Sequence, residues 1–476
     1  VMNSIAGSKQ TAPEWPCMQN TLPICNYFTI GFVAITGTRW VLLVGDWMII
    51  GGGPVAAMIA FFIGALFLLP IGAVFGELTA AIPISGGIVE YVHRTFGKNV
   101  SYITGWFLAL GNGILCPWEA IAISTLVSDM FGDMLPFLRS VKLYTIMGAD
   151  VYLFPTIIAL GFACYVIFLN FKGASSAAKL QAFLTKALLG GMLLAMAISF
   201  VKGGPHNILP AFGQVEGAGS STSATNMFAG IVSVLVMTPF FYAGFDTIPQ
   251  QAEEAAEGLD WNKFGKVISM ALLAAGGFYM ICIYSFGTII PWSDFVKNSV
   301  PALACLRDIN MILYVIMLVI ATLGPMGPMN SFYGATSRIM LAMGRKGQLP
   351  EKFAEIDPKS GAPKMANTIL ACLTIVVPFL GKKMLVPLTN VSARAFSCTM
   401  VGFACLRMRT TEPDLPRPYK VPGGRLGIGA ACLAGSIIIA LMVIPMSPAA
   451  LKPVEWLIVA GWLIIGLILK MFSQKK

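Results

Sequence analysis

Long apolar runs recur along this chain, and they limit what it can fold into more than any other feature. A run of about 20 apolar residues is long enough to cross the hydrocarbon core of a bilayer as a helix. Such runs, numbered here as spans one to twelve, occur at 27–50, 55–82, 99–130, 150–171, 176–201, 226–250, 264–291, 310–344, 364–381, 385–406, 427–446 and 454–473. The sequence therefore predicts an all-α polytopic membrane protein with about twelve transmembrane helices.

The charges predict how these helices are oriented. Only 11% of the residues are charged, against about 25% in soluble proteins. A net charge of +10 could by itself indicate a nucleic-acid partner, but the lysines and arginines cluster in alternate loops, as at Arg345-Lys346 and Arg407–Arg409. Cytoplasmic loops of membrane proteins carry this excess of basic residues. We expect a multi-pass protein of the cell membrane with cytoplasmic N and C termini and no nucleic-acid partner.

No catalytic or metal-binding motif accompanies the apolar segments. The ten cysteines are scattered without a CxxC or a Cys/His metal spacing, and no HExxH sequence occurs. Metal sites and intramembrane hydrolases need such clusters. We therefore expect no metal site and no enzyme, and no cofactor beyond a proton or substrate gradient.

Two of the spans are interrupted. Span one contains Gly37-Thr38-Arg39-Trp40, and an arginine inside a membrane helix costs at least a few kcal/mol. Span six contains Pro239, which removes a backbone donor, and Gly244, which permits an unwound turn. Paired interruptions at corresponding positions of two halves indicate an inverted-repeat transporter. Because the breaks are five spans apart, the second half would be inverted in the membrane.

Broken helices at the middle of a membrane provide binding groups for both charges. The free N–H groups at the start of one half-helix attract an anion, and the free carbonyls at the end of the other attract a cation. A zwitterion with a carboxylate and an ammonium matches both ends. The interruptions therefore predict a substrate site between spans one and six.

Four motifs carry a family resemblance. They are Phe75–Leu78 with Pro83–Gly87, then Gly244–Asp246 with Glu253-Glu254, then Ser337-Arg338 with Gly347–Pro350, and finally Glu412–Tyr419. In this order they resemble the signature of the amino acid–polyamine–organocation permeases. The resemblance implies two inverted five-helix repeats plus two peripheral helices, with helices one and six discontinuous.

The resemblance also implies the division of the chain. The predicted parts are a cytoplasmic N-terminal segment at 1–26, a first five-helix repeat at 27–201, an extracytoplasmic loop at 202–226, a second repeat at 227–408, a cytoplasmic loop at 409–426, and two peripheral helices with the C-terminal tail at 427–476.

The stretch Gly37-Thr38-Arg39-Trp40 would form half of the substrate site. Gly37 and Thr38 fit the small turn with which the family wraps a substrate carboxylate, but Arg39 replaces a glycine. One interpretation is that Arg39 binds an anionic group of the substrate, bidentately if that group is a carboxylate. The other is a structural ion pair with Glu119 or Asp246.

Span six would supply the other half of the site. Tyr242 falls where family members carry an aromatic gate, and the carbonyls of Phe240, Phe241 and Ala243, next to Gly244, would face the substrate amine. The alternative for these side chains is an aromatic packing cluster.

Charged residues in other spans are candidates for coupling. Lys186 resembles a lysine that replaces a sodium ion in sodium-independent members; a desolvated lysine can exchange a proton, or it can act as a charged strut. Glu119 could pair with Arg39, bind a substrate amine or carry a proton. Asp246 and Arg394 are expected to serve in gating or in structure.

These observations favour a secondary active transporter for a small amino acid or a related amine-bearing anion. It would work by alternating access, coupled to protons or by exchange, without sodium. The alternatives are a permease for a polyamine- or ethanolamine-type amine, and a facilitative uniporter. The partners would be a small-molecule substrate and the lipid bilayer.

Overall fold

The structure is a computed structural model that describes residues 22–37, 39–132, 135–146, 148–215, 225–298, 300–385, 388, 394–445, 447 and 450–474. Helices form almost all of its regular structure, as predicted. In chain order they are α1 Ile24–Thr36, α2 Arg39–Gly51, α3 Pro54–Ala81, α4 Gly87–Gly113, α5 Leu115–Leu126, α6 Leu153–Phe171, α7 Ala174–Lys202, α8 Met227–Phe241, α9 Thr247–Gln250, α10 Trp261–Gly287, α11 Trp292–Phe295, α12 Pro301–Ile309, α13 Met311–Leu323, α14 Met326–Arg345, α15 Lys364–Val376, α16 Arg394–Thr411, α17 Arg425–Val443 and α18 Pro453–Gln474.

Shorter elements join these helices. A π-helical turn, Val127–Phe131, continues α5, and the 3-10 turns are Pro136–Arg139, Pro205–Ile208, Ala252–Glu254, Glu351–Ala354, Val377–Leu380 and Lys382–Met384. Two strands, β1 Lys142–Ile146 and β2 Ala149–Tyr152, pair antiparallel.

Within the described residues, eight helices are long and apolar enough to cross a membrane, or nine if α1 and α2 count as one span bent by 45°. This confirms a polytopic helical membrane protein, while the total of twelve helices stays a prediction. Helix α4 begins at Gly87, ahead of the predicted start of span three at 99. Gly97 has a φ of 82° inside it, so a kink separates the polar first turns from the apolar ones.

Close backbone approach holds the bundle together. Helix α3 packs along α10, and a Cβ atom on Gly76 would lie 2.3 Å from the carbonyl oxygen of Gly265. Small residues are favoured between membrane helices because they let backbones touch and gain dispersion contacts. This contact places α10 against the broken helices that it supports.

The motifs that carried the family resemblance pair with one another at one end of the bundle. Glu77 of the first motif lies 3.4 Å from Arg417 of the fourth and 2.5 Å from Arg409. Glu254 of the second motif lies 2.6 Å from Arg338 of the third, and both side chains are buried. Burial raises the pKa of Glu254, and Arg338 acts in the opposite direction. These motif residues therefore join distant segments of the chain.

Removing Arg338 is expected to destabilise the protein. Breaking a buried ion pair by losing one partner costs about 3–5 kcal/mol, because the other charge stays buried alone. Arg338→Met should therefore lower the midpoint of thermal unfolding in detergent. Arg338→Met combined with Glu254→Met should recover most of that loss. Equal unfolding midpoints for the single and double variants would contradict this assignment.

A β-hairpin interrupts the helical pattern between α5 and α6, where the sequence predicted only a loop. The hydroxyl of Tyr144 donates a hydrogen bond to the carbonyl of Phe379. A Cβ atom on Gly381, whose φ is 74°, would lie 2.9 Å from Val151. The hairpin is thus packed against the 377–384 segment, at the end of the bundle opposite to the motif ion pairs.

Candidate functional site

The two broken helices meet at their breaks. Helix α1 ends at Thr36, and the φ of Gly37, which follows it, is 44°. Helix α8 ends at Phe241, and Gly244 in the following turn has a φ of 136°. A Cβ atom on Gly244 would lie 2.6 Å from the carbonyl carbon of Ala34. Glycine is needed at 244 because its φ is positive and because the two broken helices approach closely there.

The predicted cause of the second break is only partly right. Pro239 lies inside helix α8, which continues for two residues beyond it. A proline removes one backbone donor, but the helix tolerates this loss in a membrane protein. The break therefore falls at 242–246, where Gly244 supplies the turn.

A tyrosine ties the two helix ends together, and sequence reasoning missed it. The hydroxyl of Tyr279 in α10 lies 2.7 Å from the carbonyl oxygen of Ile35 and 3.1 Å from that of Phe241. These carbonyls lie at the ends of α1 and α8, where intrahelical partners are lacking. A buried hydroxyl needs a partner, so a tyrosine inside an apolar span was a signal for a polar contact.

Arg39 lies at the same junction. Its Nη1 donates to the carbonyl oxygen of Ile35 at 3.2 Å, and its Nη2 lies 3.3 Å from Oε1 of Glu119. Arg39 is 1% exposed and Glu119 is fully buried. The guanidinium carbon also lies 5.3 Å from the ring centre of Phe240 and 5.8 Å from that of Trp118. The structure thus brings Arg39 to Glu119, not to Asp246.

Asp246 instead belongs to a second charged pair. Its Oδ1 lies 3.7 Å from Nη1 of Arg394 and accepts from the backbone N–H of Gly244 at 3.2 Å. Its Oδ2 accepts from Nδ2 of Asn112 at 2.9 Å. Nη2 of Arg394 donates to the carbonyl oxygen of Gly111 at 2.5 Å. Asp246 thereby links the broken helix α8–α9 to α4 and α16.

The ring of Phe332 lies beside both pairs. Its centre is 6.0 Å from the guanidinium carbon of Arg39 and 5.5 Å from that of Arg394. Both arginines are buried and each has an acidic partner. The site therefore holds two positive and two negative charges around one aromatic ring.

Several buried polar atoms in this site have no hydrogen-bond partner among the described residues. They are Nε of Arg39, Oε2 of Glu119, Nη1 of Arg394 and Oδ1 of Asn112. A buried polar group without a hydrogen bond costs about 1–3 kcal/mol. Donors and acceptors are both left over, so a ligand carrying both charges could satisfy them.

Other predicted site residues serve the packing of the junction. Nε1 of Trp40 donates to the carbonyl oxygen of Gly37 at 3.1 Å, which closes the end of α1. The hydroxyl of Tyr242 donates to the carbonyl oxygen of Phe61 at 2.7 Å, so this side chain joins α3. Phe240, not Tyr242, places its ring over Arg39. Ala243 is buried beside them, and Thr38 lies outside the described residues.

Lys186 does not lie in the site. Its side chain is exposed on the surface of α7, while its neighbour Thr185 is buried. The buried polar side chain of this helix is Gln181, whose Oε1 accepts from Nδ2 of Asn330 at 3.0 Å. Positions five residues apart on a helix point about 140° apart. The predicted placement of Lys186 as a desolvated group between the spans is therefore wrong.

The described residues contain no group of three or more His, Cys, Asp or Glu side chains that could hold a metal ion. Buried charges, carbonyls and aromatic rings are thus the chemistry that this junction offers. Such a site can bind and release a charged small molecule. Buried charges beside two broken helices are typical of a membrane transport protein.

Comparison with known proteins agrees with this class. The sequence model described as amino acid permease matches residues 25–468. The chain belongs to this amino acid permease family, within the amino acid–polyamine–organocation superfamily. It is accordingly a transporter and not an enzyme.

The proteins similar to this chain are named for different substrates. The branched-chain amino acid permease BcaP of Bacillus subtilis (strain 168) is 24% identical over 459 residues, covering 94% of this chain and 91% of that protein. The aspartate-proton symporter of the same organism is 25% identical over 423 residues, covering 85% and 76%. The glutamate/serine transporter AimA, also from this organism, is 24% identical over 412 residues, covering 83% and 72%. The relatives support an amino acid transporter.

Proposed function

We propose that this protein is a secondary active transporter for a zwitterionic amino acid, coupled to protons and independent of sodium. The observation that carries this proposal is the buried pair of Arg39 and Glu119 at the junction of the broken helices. Transport by exchange of one amino acid for another would use the same site. The bundle would consist of two inverted five-helix repeats plus two peripheral helices.

The substrate ammonium would replace two donors of the present structure. Tyr279 and Arg39 both donate to the carbonyl oxygen of Ile35, and Tyr279 also reaches that of Phe241. Carbonyls at the C-terminal end of a helix attract cations. An ammonium can take the place of Tyr279 because it is a stronger donor than an uncharged hydroxyl, and it can take the place of Arg39 when the guanidinium turns to the substrate carboxylate.

The substrate carboxylate would then take Arg39. Arg39 is held to Glu119 through one nitrogen at 3.3 Å, and its Nε has no hydrogen-bond partner among the described residues. A carboxylate can accept from two guanidinium nitrogens at once, which is stronger than a single contact. Arg39 would thus exchange an internal carboxylate for that of the substrate.

This exchange supplies a reason for proton coupling. When the substrate carboxylate binds Arg39, Glu119 loses its partner while it is fully buried. An unpaired buried carboxylate is strongly disfavoured, so Glu119 would take up one proton with each substrate. One relative, the aspartate-proton symporter, is named for coupling to protons.

The orientation follows from the charge pattern. We propose a cell membrane location with cytoplasmic termini, which puts the motif ion pairs at the cytoplasmic end and the β-hairpin at the outer end. Alternating access would bend the chain at Gly37 and at Gly244. At each break, the two halves of the interrupted helix can move separately.

Uptake into proteoliposomes tests the proposal. Labelled leucine, serine, aspartate and glutamate would be offered with and without an inward pH gradient, and with and without unlabelled amino acid inside. We expect accumulation of at least one of them under a pH gradient, unchanged when sodium is omitted. Accumulation that requires sodium would contradict the coupling, and uptake of none would contradict the amino acid assignment.

Removing the Tyr279 hydroxyl is expected to strengthen substrate binding. Tyr279→Phe leaves the carbonyls of Ile35 and Phe241 without this donor in the empty protein, at a cost of about 1–3 kcal/mol. The substrate ammonium relieves that cost, so the dissociation constant should fall about fivefold or more. Tyr284→Phe, in the same helix with its ring against Phe200, is the matched control. Weaker binding in Tyr279→Phe would indicate that the hydroxyl contacts the substrate directly.

A further inference from the structure

A polar cavity of about 450 Å³ lies at the hairpin end of the bundle. Helix α5 and its π-helical turn form one wall, the β-hairpin another, and the 378–383 segment a third. This volume lies within the usual range of small-molecule sites, about 300–1,000 Å³. We call it the hairpin pocket.

The hairpin pocket contains charges of both signs. Its lining includes Asp129 and Asp150 as acids and Arg139, Lys382 and Lys383 as bases. A pocket of an apolar membrane protein with this composition is suited to a ligand that carries both an anionic and a cationic group.

The charges in the pocket differ in how firmly they are paired. Asp150 lies 2.7 Å from Nζ of Lys142, and hydrogen bonds from Lys142 and Thr145 hold its pKa below the usual range. Among the residues that the structure describes, Asp129 has only distant ion-pair partners, Lys382 at 3.6 Å and Arg139 at 3.9 Å. Contacts at these distances are weak. Asp129 can therefore accept a ligand ammonium at little cost.

Lys383 supplies the complementary charge. It is exposed, and it makes no ion pair with any residue that the structure describes. The polar residues Ser124 and Ser128 also line the cavity, on the wall formed by α5 and the π-helical turn. A carboxylate bound by Lys383 and an ammonium bound by Asp129 would leave these hydroxyls facing the ligand.

Helix α5 connects the hairpin pocket to the central site. Glu119 and Asp129 are ten residues apart, which is about 15 Å along a helix. Trp118 has a contact toward each site: its ring centre is 5.8 Å from the guanidinium carbon of Arg39, and its Nε1 donates at 3.0 Å to the carbonyl oxygen of Leu385, two residues after Lys383 of the pocket wall. Trp118 therefore connects Arg39 of the central site with the segment that carries Lys383.

We infer that the hairpin pocket is a second binding site for a zwitterionic amino acid, used as an entry site ahead of the central one. This rests on the proposed function in so far as the ligand is the transported amino acid. Asp129 holds the ammonium, Lys383 holds the carboxylate, and Trp118 connects the two sites.

Equilibrium binding to the purified, full-length protein in detergent tests this inference. The probes are labelled leucine, serine, aspartate and glutamate. We expect two molecules bound per chain for the transported amino acid, and one in the double variant Asp129→Asn/Lys383→Gln. Arg39→Ala should also bind one, at the hairpin pocket. One molecule bound to the wild type, and unchanged binding in Asp129→Asn/Lys383→Gln, would overturn the second site.

Uptake measurements test the entry role. Asp129→Asn/Lys383→Gln should raise KM about fivefold, the effect of losing about 1 kcal/mol of surface ion pairing, with the maximal rate unchanged. Asp294→Asn/Lys297→Gln removes an exposed ion pair with the same change of charge, and it should leave KM unaltered. Equal KM values for wild type and Asp129→Asn/Lys383→Gln would overturn the entry role.

The two proposals can fail separately. In one outcome, Asp129→Asn/Lys383→Gln binds one molecule fewer than the wild type, and the wild type takes up none of the probes. This outcome would support the pocket as an amino acid site, and it would overturn both the transport function and the entry role. Proton-driven uptake with a single molecule bound at Arg39 would support the transport function and overturn the hairpin pocket.

Discussion

Arg39→Gly is expected to weaken binding of the transported amino acid by about 10- to 100-fold, the effect of losing a charge-assisted hydrogen bond worth about 1.5–3 kcal/mol. The variant also restores the small residue that the family pattern has at this position. Its substrate preference should therefore broaden to molecules without a carboxylate. Competition for binding by amino acids, amino acid amides and amines would measure both changes.

The controls separate contact with the substrate from stability. Arg39→Lys keeps the charge but cannot bind a carboxylate through two fixed nitrogens, so it should recover only part of the affinity. Arg39→Gly leaves Glu119 buried without its arginine, and Arg39→Gly/Glu119→Gln removes that cost. Wild-type affinity for the carboxylate substrate in either glycine variant would contradict direct contact.

Glu119→Gln is expected to abolish accumulation driven by a pH gradient and to keep exchange. Glutamine has nearly the same shape as glutamate, but its side chain is already neutral and cannot take up a proton. Substrate binding therefore no longer brings a proton with it. Counterflow of labelled against unlabelled amino acid should continue, because it needs no net proton movement. Uptake with and without a pH gradient, beside counterflow in the same proteoliposomes, measures the difference.

Lys186→Gln is the matched control for this loss. Lys186 was the other candidate for coupling, but its side chain lies exposed on α7 and not at the junction. We expect this variant to accumulate substrate like the wild type. Accumulation that survives in Glu119→Gln and disappears in Lys186→Gln would reverse the assignment of the coupling residue.

The sequence predicted the class of fold and the two helix breaks because both depend on local patterns. Apolar runs that can cross a bilayer predict helices directly, since a backbone in hydrocarbon must satisfy its own hydrogen bonds. Gly37 and Gly244 marked the breaks because each has a positive φ, which glycine adopts readily. An arginine at 39 required a partner, and Glu119 was one of two acids that the sequence offered.

The partners of these residues depended on how the helices are rotated against one another. Helix α7 is apolar around most of its circumference, so its sequence does not indicate which face is buried. The structure turns Gln181 inward and Lys186 outward. The sequence offered two arginines and two acids without indicating which would pair, and only helix packing assigned Arg39 to Glu119 and Arg394 to Asp246.

By itself, then, the sequence determined a helical membrane protein, two breaks in its helices, and an arginine where the family pattern has a small residue. The tertiary structure decided what those charges contact. It placed Tyr279 of α10 on the carbonyls of both broken helices, and it formed the hairpin pocket from segments far apart in the chain. The contact of Tyr279 with Ile35 joins residues 244 positions apart. Such contacts depend on side-chain packing between whole helices, which no local pattern of residue types specifies.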